Sequence, residues 1–398
     1  MCFCILSLYC RRMTLHPGFT RSNMSIVKLL SPTNLKVEME KFFSSNCEYN
    51  PVFRYLTEDC ERSGFSNVDH SLIGEAEQVL EIGTRHGISD VPSSTSLCTT
   101  ISLRQAFEDY CEKLDLSGLV DVKVSESGMA LVQVVKPGSS SDIQKVTVYV
   151  SPASVPDHMI PGFVAHEVGT HALRMINDDH QIWARGNRAT FKLKPHYATE
   201  EGLATLNAIV ESFKDSDRSS VLWNSALRYY AAVQATRLDF VSLFRHMEQY
   251  VPQRENRFRF CSRVKRGLTD TSQSGGCSLD QSYFIGAVDI LRHLHETNFL
   301  ALYSGMLDRR DVNRLRGVAK MDCLRLPPFL ASADMVEGYV LSLRRIARIN
   351  QLELPIFRIK ALPLFCSTRN RVRARGRSCT VDRRPLGTAR TRCLTLRT

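Results

Sequence analysis

The chain has 398 residues, of which 43% are hydrophobic, and this is enough apolar material for the core of one large domain or of two. The net charge of +11 is concentrated at the C-terminus, because residues 367–398 contain ten arginines, no lysine and a single acid, Asp382. The remaining residues carry only +2, so the composition of the body gives no reason to expect a nucleic-acid-binding protein.

The first residues lack the pattern of a signal peptide or of a membrane span. Cys2–Cys10 is apolar, but it has about half the length needed to cross a bilayer, and Arg11 and Arg12 follow it instead of preceding it. The thirteen cysteines are scattered and include no Cys-x-x-Cys pair, which indicates reduced thiols and no disulfide framework. We therefore expect a cytoplasmic protein without a membrane partner, and we treat residues 1–27 as an unassigned leader.

Three β-rich runs come next in the chain. They are Val120–Val124, Ala130–Val135 and Val146–Val150, and the last two are separated by the turn-forming residues Pro137–Ser141. The runs predict a small antiparallel sheet. An exposed edge strand of this sheet could bind an extended peptide by main-chain pairing, but a sheet that only supports the following helix is equally compatible with the pattern.

The most informative motif is His166–His171, which reads His-Glu-Val-Gly-Thr-His. The commoner zinc-binding helix carries its two histidines at positions i and i+4. Here they are at i and i+5, and in an ordinary helix such residues point roughly 140° apart. A π-bulge adds one residue to the turn and would bring both imidazoles onto one side, and a glycine tolerates this distortion most easily. The spacing therefore predicts a locally widened helix at Gly169, with Glu167 beside the two histidines as a base.

A second motif, Thr199–Ala204, supplies two adjacent glutamates, Glu200 and Glu201. It predicts the start of a helix over Leu203–Val210, with Thr199 as its N-cap. Two histidines and a downstream glutamate form a three-ligand set for zinc, so these residues indicate a metal-dependent hydrolase. Either glutamate could be the third ligand. The one that binds no metal would then be an acid in the first turn of the helix, which the helix dipole favours.

The remainder of the chain has mainly helical patterns, including 221–250 and 281–303, with a glycine-rich loop at Ser272–Ser278. We expect an α+β, mainly helical fold. Residues 28–360 would form a zincin-like catalytic domain, with the small antiparallel sheet before the metal-binding helix and a helical C-terminal lobe. The Arg-rich residues 361–398 would form a disordered tail, which is either a binding element for acidic partners such as a microtubule surface or RNA, or a variable extension.

The sequence HEVGTHALR at 166–174, followed by TEEGLA at 199–204, resembles the microtubule-associated tyrosine carboxypeptidase family. The likeness covers about residues 28–335. Its other segments are Leu30–Leu35, Glu40–Phe43, Tyr49–Phe53, Leu222–Trp223, Ala226–Tyr230, Cys261–Gly267 and Thr269–Gln273.

This resemblance implies one Zn²⁺ per chain, with His166, His171 and Glu201 as the ligands and Glu167 as the catalytic glutamate. It also implies an activity, removal of the C-terminal tyrosine of α-tubulin, with microtubules as partner and a cytoskeletal location. Three protein ligands leave one zinc position open for water, and a glutamate next to a ligand can accept the proton of that water. The residues are thus compatible with the implied mechanism.

A carboxypeptidase must also bind the free α-carboxylate of its substrate, and a guanidinium or ammonium group near the metal is the simplest way to do so. The candidates are Lys265, Arg266 and Arg263, with Arg174 as a weaker one. For each of them, a solvated surface cation is the ordinary alternative.

Two other functions remain open from the sequence. One is a zinc peptidase that acts on other C-termini or on internal bonds. The other is a catalytically silent relative that binds microtubules, although retention of Glu167 together with all three ligands argues against it.

Overall fold

The computed structural model describes residues 30–56, 67–88, 97–124, 132–135, 145–150, 155–184, 187–212 and 220–353. All of these residues lie within one unit of the fold, which ends at Leu354. The predicted leader, 1–27, and the predicted tail, 361–398, lie outside the described residues.

The described part of the chain is mainly helical, as predicted. Its helices are α1 (Leu35–Ser44), α2 (Ile73–Arg85), α3 (Thr100–Lys113), α4 (Ile160–His166), α5 (Leu173–Asp178), α6 (Tyr197–Ser212), α7 (Trp223–Ala235), α8 (Phe240–His246), α9 (Arg254–Val264), α10 (Gln281–Arg292), α11 (Phe299–Leu302), α12 (Arg309–Leu315) and α13 (Ala333–Ile349). Short 3₁₀ turns occupy Asp157–Met159, Met247–Gln249 and Pro328–Leu330. No helix in these ranges is both long and apolar enough to cross a membrane.

The strands form two small sheets. The strands are β1 (Leu97–Cys98), β2 (Val120–Val124), β3 (Val132–Val135), β4 (Val146–Val150) and β5 (Val155–Pro156). β1 and β5 form an antiparallel pair, and the larger sheet has the order β2–β4–β3.

The prediction of a wholly antiparallel sheet was wrong. β3 is antiparallel to β4, but β2 is parallel to β4 and lies on its other side. Alternation of apolar residues indicates which face of a strand is buried, but it contains no information about strand order or direction. β4 is the central strand, and α3 and the helical segment after β5 both pack against it. Peptide binding at either edge of this sheet stays a hypothesis.

Helix α6 lies at the centre of the helical part, where it packs against α4 and α10. Two glycines allow its backbone to touch that of α10. A Cβ atom on Gly202 would lie 2.1 Å from the carbonyl carbon of Gly286, and one on Gly286 would lie 1.6 Å from the carbonyl oxygen of Ala198. This close approach determines where the glutamates of α6 lie relative to α10.

Helix α6 begins earlier than the sequence predicted. The N–H of Glu200 donates to the carbonyl of His196 at 2.9 Å, so Thr199 lies inside the helix and is not its N-cap. The Thr199 hydroxyl is used elsewhere, because it accepts from the N–H of Arg309 at 3.2 Å. A tertiary contact thus replaces the local capping bond that the residue type suggested.

The predicted helical stretches 221–250 and 281–303 are helical but interrupted. Asp239 accepts from the N–H of Ser242 at 2.7 Å and caps α8, and Asn298 accepts from the N–H of Ala301 at 3.0 Å and caps α11. Each cap starts a new helix, since its side chain satisfies a backbone donor that has no partner within the helix.

Candidate metal centre

The two histidines of the motif lie on one continuous helical segment, made of α4, a π-helical turn at Glu167–Ala172, and α5. We call residues 160–178 the motif helix. The π-helical turn confirms the predicted widening at Gly169. It brings the rings of His166 and His171 to a centroid separation of 4.9 Å, as a common metal site requires.

Side-chain hydroxyls stabilise the wide turn. The Thr170 hydroxyl donates to the carbonyl of Ala165 at 2.8 Å, and the Tyr303 hydroxyl donates to the carbonyl of Gly169 at 2.7 Å. A buried carbonyl without a donor is costly, and a π-bulge displaces carbonyls from their ordinary helical partners. These two bonds supply donors at the bulge.

A buried amide connects the two hydroxyls. The side-chain nitrogen of Asn207 donates to the Thr170 hydroxyl at 2.7 Å and to the Tyr303 hydroxyl at 3.0 Å. Its side-chain oxygen accepts from the Tyr339 hydroxyl at 2.6 Å. The four side chains come from the motif helix, α6, the residue after α11 and α13, so the geometry of the turn depends on distant parts of the chain.

His166, His171 and Glu201 form a buried group, which we call the metal-ligand group, and the atoms that could bind a metal all lie within 4.8 Å of one another. The Nε2 atom of each histidine is 3.8 Å from the same carboxylate oxygen of Glu201. Neither Nε2 atom has a hydrogen-bond partner among the described residues. Buried imidazole nitrogens are normally satisfied, and a bound cation would complete both. The residues therefore fit a metal ion.

The protonation of His166 also suits a metal ligand. Burial, followed by the neighbouring His171 and Arg228, lowers the pKa of His166 well below its usual value. The imidazole is therefore neutral at physiological pH, which is the form that binds a metal.

Glu200 orients His171. One oxygen of Glu200 is 2.7 Å from Nδ1 of His171, and the other forms an ion pair with Arg174. Burial alone would raise the pKa of Glu200, but Arg174 and His171 outweigh this effect and lower the pKa. An ionised carboxylate can only accept a hydrogen bond, so Nδ1 of His171 carries the hydrogen and Nε2 keeps its lone pair for a metal. Glu200 thus holds His171 in its orientation, a role that the sequence did not indicate.

Arg174 is fully buried, and its guanidinium is held by the protein itself. Its Nε donates to the carbonyls of Leu302 and Gly305 at 3.2 and 3.1 Å, and one Nη donates to the carbonyl of Leu307 at 2.8 Å. The guanidinium also donates to Glu200, and no N–H group of this buried side chain is exposed to a substrate. The prediction that Arg174 binds the substrate carboxylate is therefore not supported by its surroundings.

Glu167 is fully buried, and one of its oxygens lies 3.5 Å from Nε2 of His166. It lies beside the three-residue group and is not one of its members. This position is the one that a base acting on a metal-bound water would need.

Lys265 is fully buried, and its ammonium donates to three backbone carbonyls, those of Ala235, Leu238 and Gln273. An ammonium has three donor hydrogens, so these contacts use all of them. Burial lowers the pKa of Lys265 to about 8. The structure gives this lysine the role of joining α7, the loop after it and the loop at Ser272–Ser278.

Arg263 and Arg266 share one carboxylate. Arg263 contacts both oxygens of Asp280, at 2.6 and 3.0 Å, and Arg266 contacts one of them at 2.9 Å. Burial by itself would raise the pKa of Asp280, but the two guanidinium groups outweigh it and lower the pKa. Two positive charges therefore contact one negative charge. We call Arg263, Arg266 and Asp280 the arginine cluster.

Two tyrosines lie beside the metal-ligand group. The ring of Tyr283 is stacked on that of His166 at 6.4 Å, and the guanidinium of Arg228 lies 5.3 Å from the centre of the Tyr283 ring. Tyr197 has Glu201 and Arg266 among its electrostatic neighbours, and burial raises its pKa well above the usual value.

Tyr197, Tyr283 and Arg228 were not predicted from the sequence. For Tyr197 a signal was available, since it precedes Glu201 by four positions and such residues share a helical face. No local pattern indicates Tyr283 or Arg228, because α10 and α7 approach the site only through tertiary packing.

Comparison with known proteins gives a consistent family assignment. The family described as microtubule-associated tyrosine carboxypeptidase matches residues 61–350. Microtubule-associated tyrosine carboxypeptidase 1 of Homo sapiens is 34% identical over 335 residues, which are 82% of this chain and 69% of the relative. The protein of the same name from Rattus norvegicus is 33% identical over 85% of this chain and 71% of its own length. Putative tyrosine carboxypeptidase MATCAP2 of Homo sapiens is 30% identical over 84% of this chain and 54% of its own length. The chain therefore belongs to the microtubule-associated tyrosine carboxypeptidase family.

Proposed function

We propose that this protein is a zinc-dependent carboxypeptidase that removes the C-terminal tyrosine of α-tubulin. The observation that carries the proposal is the buried group of His166, His171 and Glu201 with Glu167 beside it, in a chain of this family. Substrate and reaction are inferred from the names of the relatives, and the chemistry is inferred from the side chains.

The donor set fits a catalytic zinc ion. Two neutral imidazoles and one carboxylate form the ligand set of many catalytic zinc sites, and such sites leave one position open. The Glu200 carboxylate on His171 is the kind of supporting contact that orients a zinc-bound histidine. Zinc, when bound here, would polarise the scissile carbonyl and lower the pKa of a coordinated water.

We assign the proton transfers to Glu167. Its carboxylate would accept a proton from the attacking water and later deliver it to the leaving amine of the tyrosine. Glu167 is buried and lies 3.5 Å from His166, so it has little freedom to move away from the site. Glu200 and Arg174 hold His171 in place during the reaction.

We propose that the arginine cluster attracts the terminal carboxylate of the substrate. Arg263 and Arg266 together carry one positive charge more than Asp280 neutralises, and a substrate carboxylate would balance that charge. Lys265, the third predicted cation, would act indirectly by supporting the loop that follows α9, because its own donors are on backbone carbonyls.

The remaining expectations follow from the same proposal. The catalytic domain would be zincin-like and extend over residues 28–360, and the partner would be the C-terminal tail of α-tubulin in microtubules. The site of action would be the cytoplasmic cytoskeleton. No nucleic-acid partner is proposed for the body.

The first test is tyrosine release from polymerised tubulin by the wild type and by Glu167→Gln, with bound zinc measured in both. We expect the wild type to release tyrosine, the variant to lose at least ~100-fold in rate, and both to retain zinc, since the base is not a ligand. A wild type that binds zinc but releases no tyrosine would point to the catalytically silent relative.

A second measurement separates the peptidase alternatives. A tyrosine-ended peptide is compared with the same peptide as its C-terminal amide. Only a carboxypeptidase requires the free carboxylate, so cleavage of the amide at an equal rate would favour an enzyme that acts on internal bonds.

A further inference from the structure

The hydroxyl group of Tyr197 is buried in an unusual way. Tyr197 is the first residue of α6, and the residue as a whole is only partly buried. Its hydroxyl oxygen, however, is buried and has no hydrogen-bond partner in the part of the chain that the structure describes. A phenol hydroxyl that has lost its water and gained no other partner is costly, and such groups are found where a ligand completes them.

The position of Tyr197 indicates which ligand this is. Tyr197 and Glu201 are four residues apart on α6, so their side chains lie one above the other on the same helical face. The charged neighbours of the hydroxyl are Glu201, Asp280 and Arg266. The hydroxyl therefore has members of both the metal-ligand group and the arginine cluster as neighbours, and the proposed function assigns the reacting carbonyl to the first and the terminal carboxylate to the second.

Other buried tyrosine hydroxyls in this region have a structural task. Tyr303 donates to the carbonyl of Gly169, and Tyr339 donates to Asn207. Tyr110 also has a buried hydroxyl without a partner among the described residues, but it lies against Gly169 of the π-helical turn, and its titratable neighbours Tyr303, Glu211 and Cys111 include no member of the metal-ligand group. Tyr283 also has Glu201 as a neighbour, but its hydroxyl is not among the buried groups without a partner. Tyr197 is thus distinguished by combining a place beside Glu201 with a buried hydroxyl that has no hydrogen-bond partner among the described residues.

We propose that the Tyr197 hydroxyl donates a hydrogen bond to the oxygen of the scissile carbonyl as that oxygen becomes negatively charged. This inference rests on the proposed function. As the water oxygen bonds to the carbonyl carbon, the carbonyl π electrons move onto oxygen, and Glu167 accepts the water proton. Tyr197 keeps its own proton. The C–N bond then breaks, and Glu167 delivers the proton to the amine of the departing tyrosine.

The assignment to the oxyanion follows from the division of charges. The arginine cluster already supplies positive charge for the terminal carboxylate, whereas a neutral donor beside Glu201 suits an oxygen that becomes charged only during the reaction. A donor aimed at such an oxygen stabilises the transition state more than the bound substrate, so its loss lowers kcat with little change in KM.

The test uses the full-length zinc-loaded protein and the variant Tyr197→Phe, which keeps the ring. We expect kcat for tyrosine release from a tyrosine-ended peptide to fall ~100- to 1000-fold, the range for loss of one oxyanion donor. KM and zinc content should stay within about twofold. Binding of a phosphonate analogue of the peptide, whose tetrahedral group imitates the transition state, should weaken by a similar factor. Tyr49→Phe, which removes a hydroxyl that donates to Glu38 of α1, is the control, and it should change neither kcat nor phosphonate binding.

Two results, each obtained with an active wild type, would overturn the role of Tyr197. One is an unchanged kcat, with or without a raised KM, and the other is a loss of zinc together with the loss of rate. An inactive wild type that contains zinc would instead refute the proposed function, and this inference with it.

Discussion

Glu200 and Glu201 are adjacent in the chain, yet they have different partners. Neighbouring residues on a helix point about 100° apart, so only one of the two can face the Nε2 atoms of the histidines. Glu201 does so, and Glu200 reaches around His171 to Nδ1 and Arg174. A single turn of helix thus supplies both a member of the metal-ligand group, Glu201, and the carboxylate that orients His171.

The consequence at the residue scale is a prediction for Glu200→Gln. The amide keeps the shape of the side chain but loses the charge that holds the Nδ1 proton and balances Arg174. We expect zinc affinity to fall 10- to 100-fold, as for other partners of zinc-bound histidines. The measurement is competition with a chelator of known affinity. Glu40→Gln, at an exposed position of α1, is the control, and an equal loss in that variant would contradict the assignment.

At the scale of elements, the contact between α6 and α10 brings Glu201 and Tyr283 to the same site. Gly202 and Gly286 make this contact possible, because neither position has room for a methyl group. The π-helical turn depends in the same way on its neighbours, since Asn207 of α6 donates to its hydroxyl partners and Tyr339 of α13 donates to Asn207. The site is therefore sensitive to changes in helices that contribute no ligand.

We predict that Gly202→Ala destabilises the protein and weakens zinc binding. The added Cβ would lie 2.1 Å from backbone of α10, so the two helices must separate, and overpacking of this kind costs about 1–3 kcal/mol. The free energy of unfolding in urea and the zinc affinity are measured together. Gly338→Ala, in α13 with open space around it, is the matched control and should stabilise by about 0.5–1 kcal/mol. Equal stability of the two variants would disagree with the packing described here.

At the scale of the whole molecule, the metal-ligand group joins segments that are far apart in sequence. Its members come from the motif helix and α6, and Arg174 of the motif helix contacts the carbonyls of Leu302, Gly305 and Leu307. An ion bound by such a group binds the folded chain and not the unfolded one, so binding and folding are coupled.

We therefore predict that zinc raises the melting temperature of the metal-free protein. At a free zinc concentration of 100 times the dissociation constant, the free energy of unfolding should increase by about 2.7 kcal/mol. Differential scanning calorimetry with and without zinc measures the shift. His171→Ala should abolish it, and Mg²⁺, which prefers oxygen ligands, should not reproduce it. A shift of the same size in His171→Ala would mean that zinc binds elsewhere.

Several features of this protein were determined by its sequence alone. The spacing of His166 and His171 is incompatible with a common site on an ordinary helix, and this predicted the π-helical turn. The three members of the metal-ligand group and the mainly helical character were also predicted, because ligand chemistry and helical periodicity are local properties of a chain.

Other features were decided only by the tertiary structure. The parallel pairing of β2 with β4, the start of α6 before Thr199, the contact of Glu200 with His171 and the burial of Lys265 all depend on distant partners. Sequence patterns report which residues prefer to be buried or to form a helix, but they do not report which distant group a polar side chain will meet. That choice is made by packing, which in this protein assigns the glutamates and Tyr197 to places around the metal-ligand group and Lys265 to the backbone carbonyls of α7 and two loops.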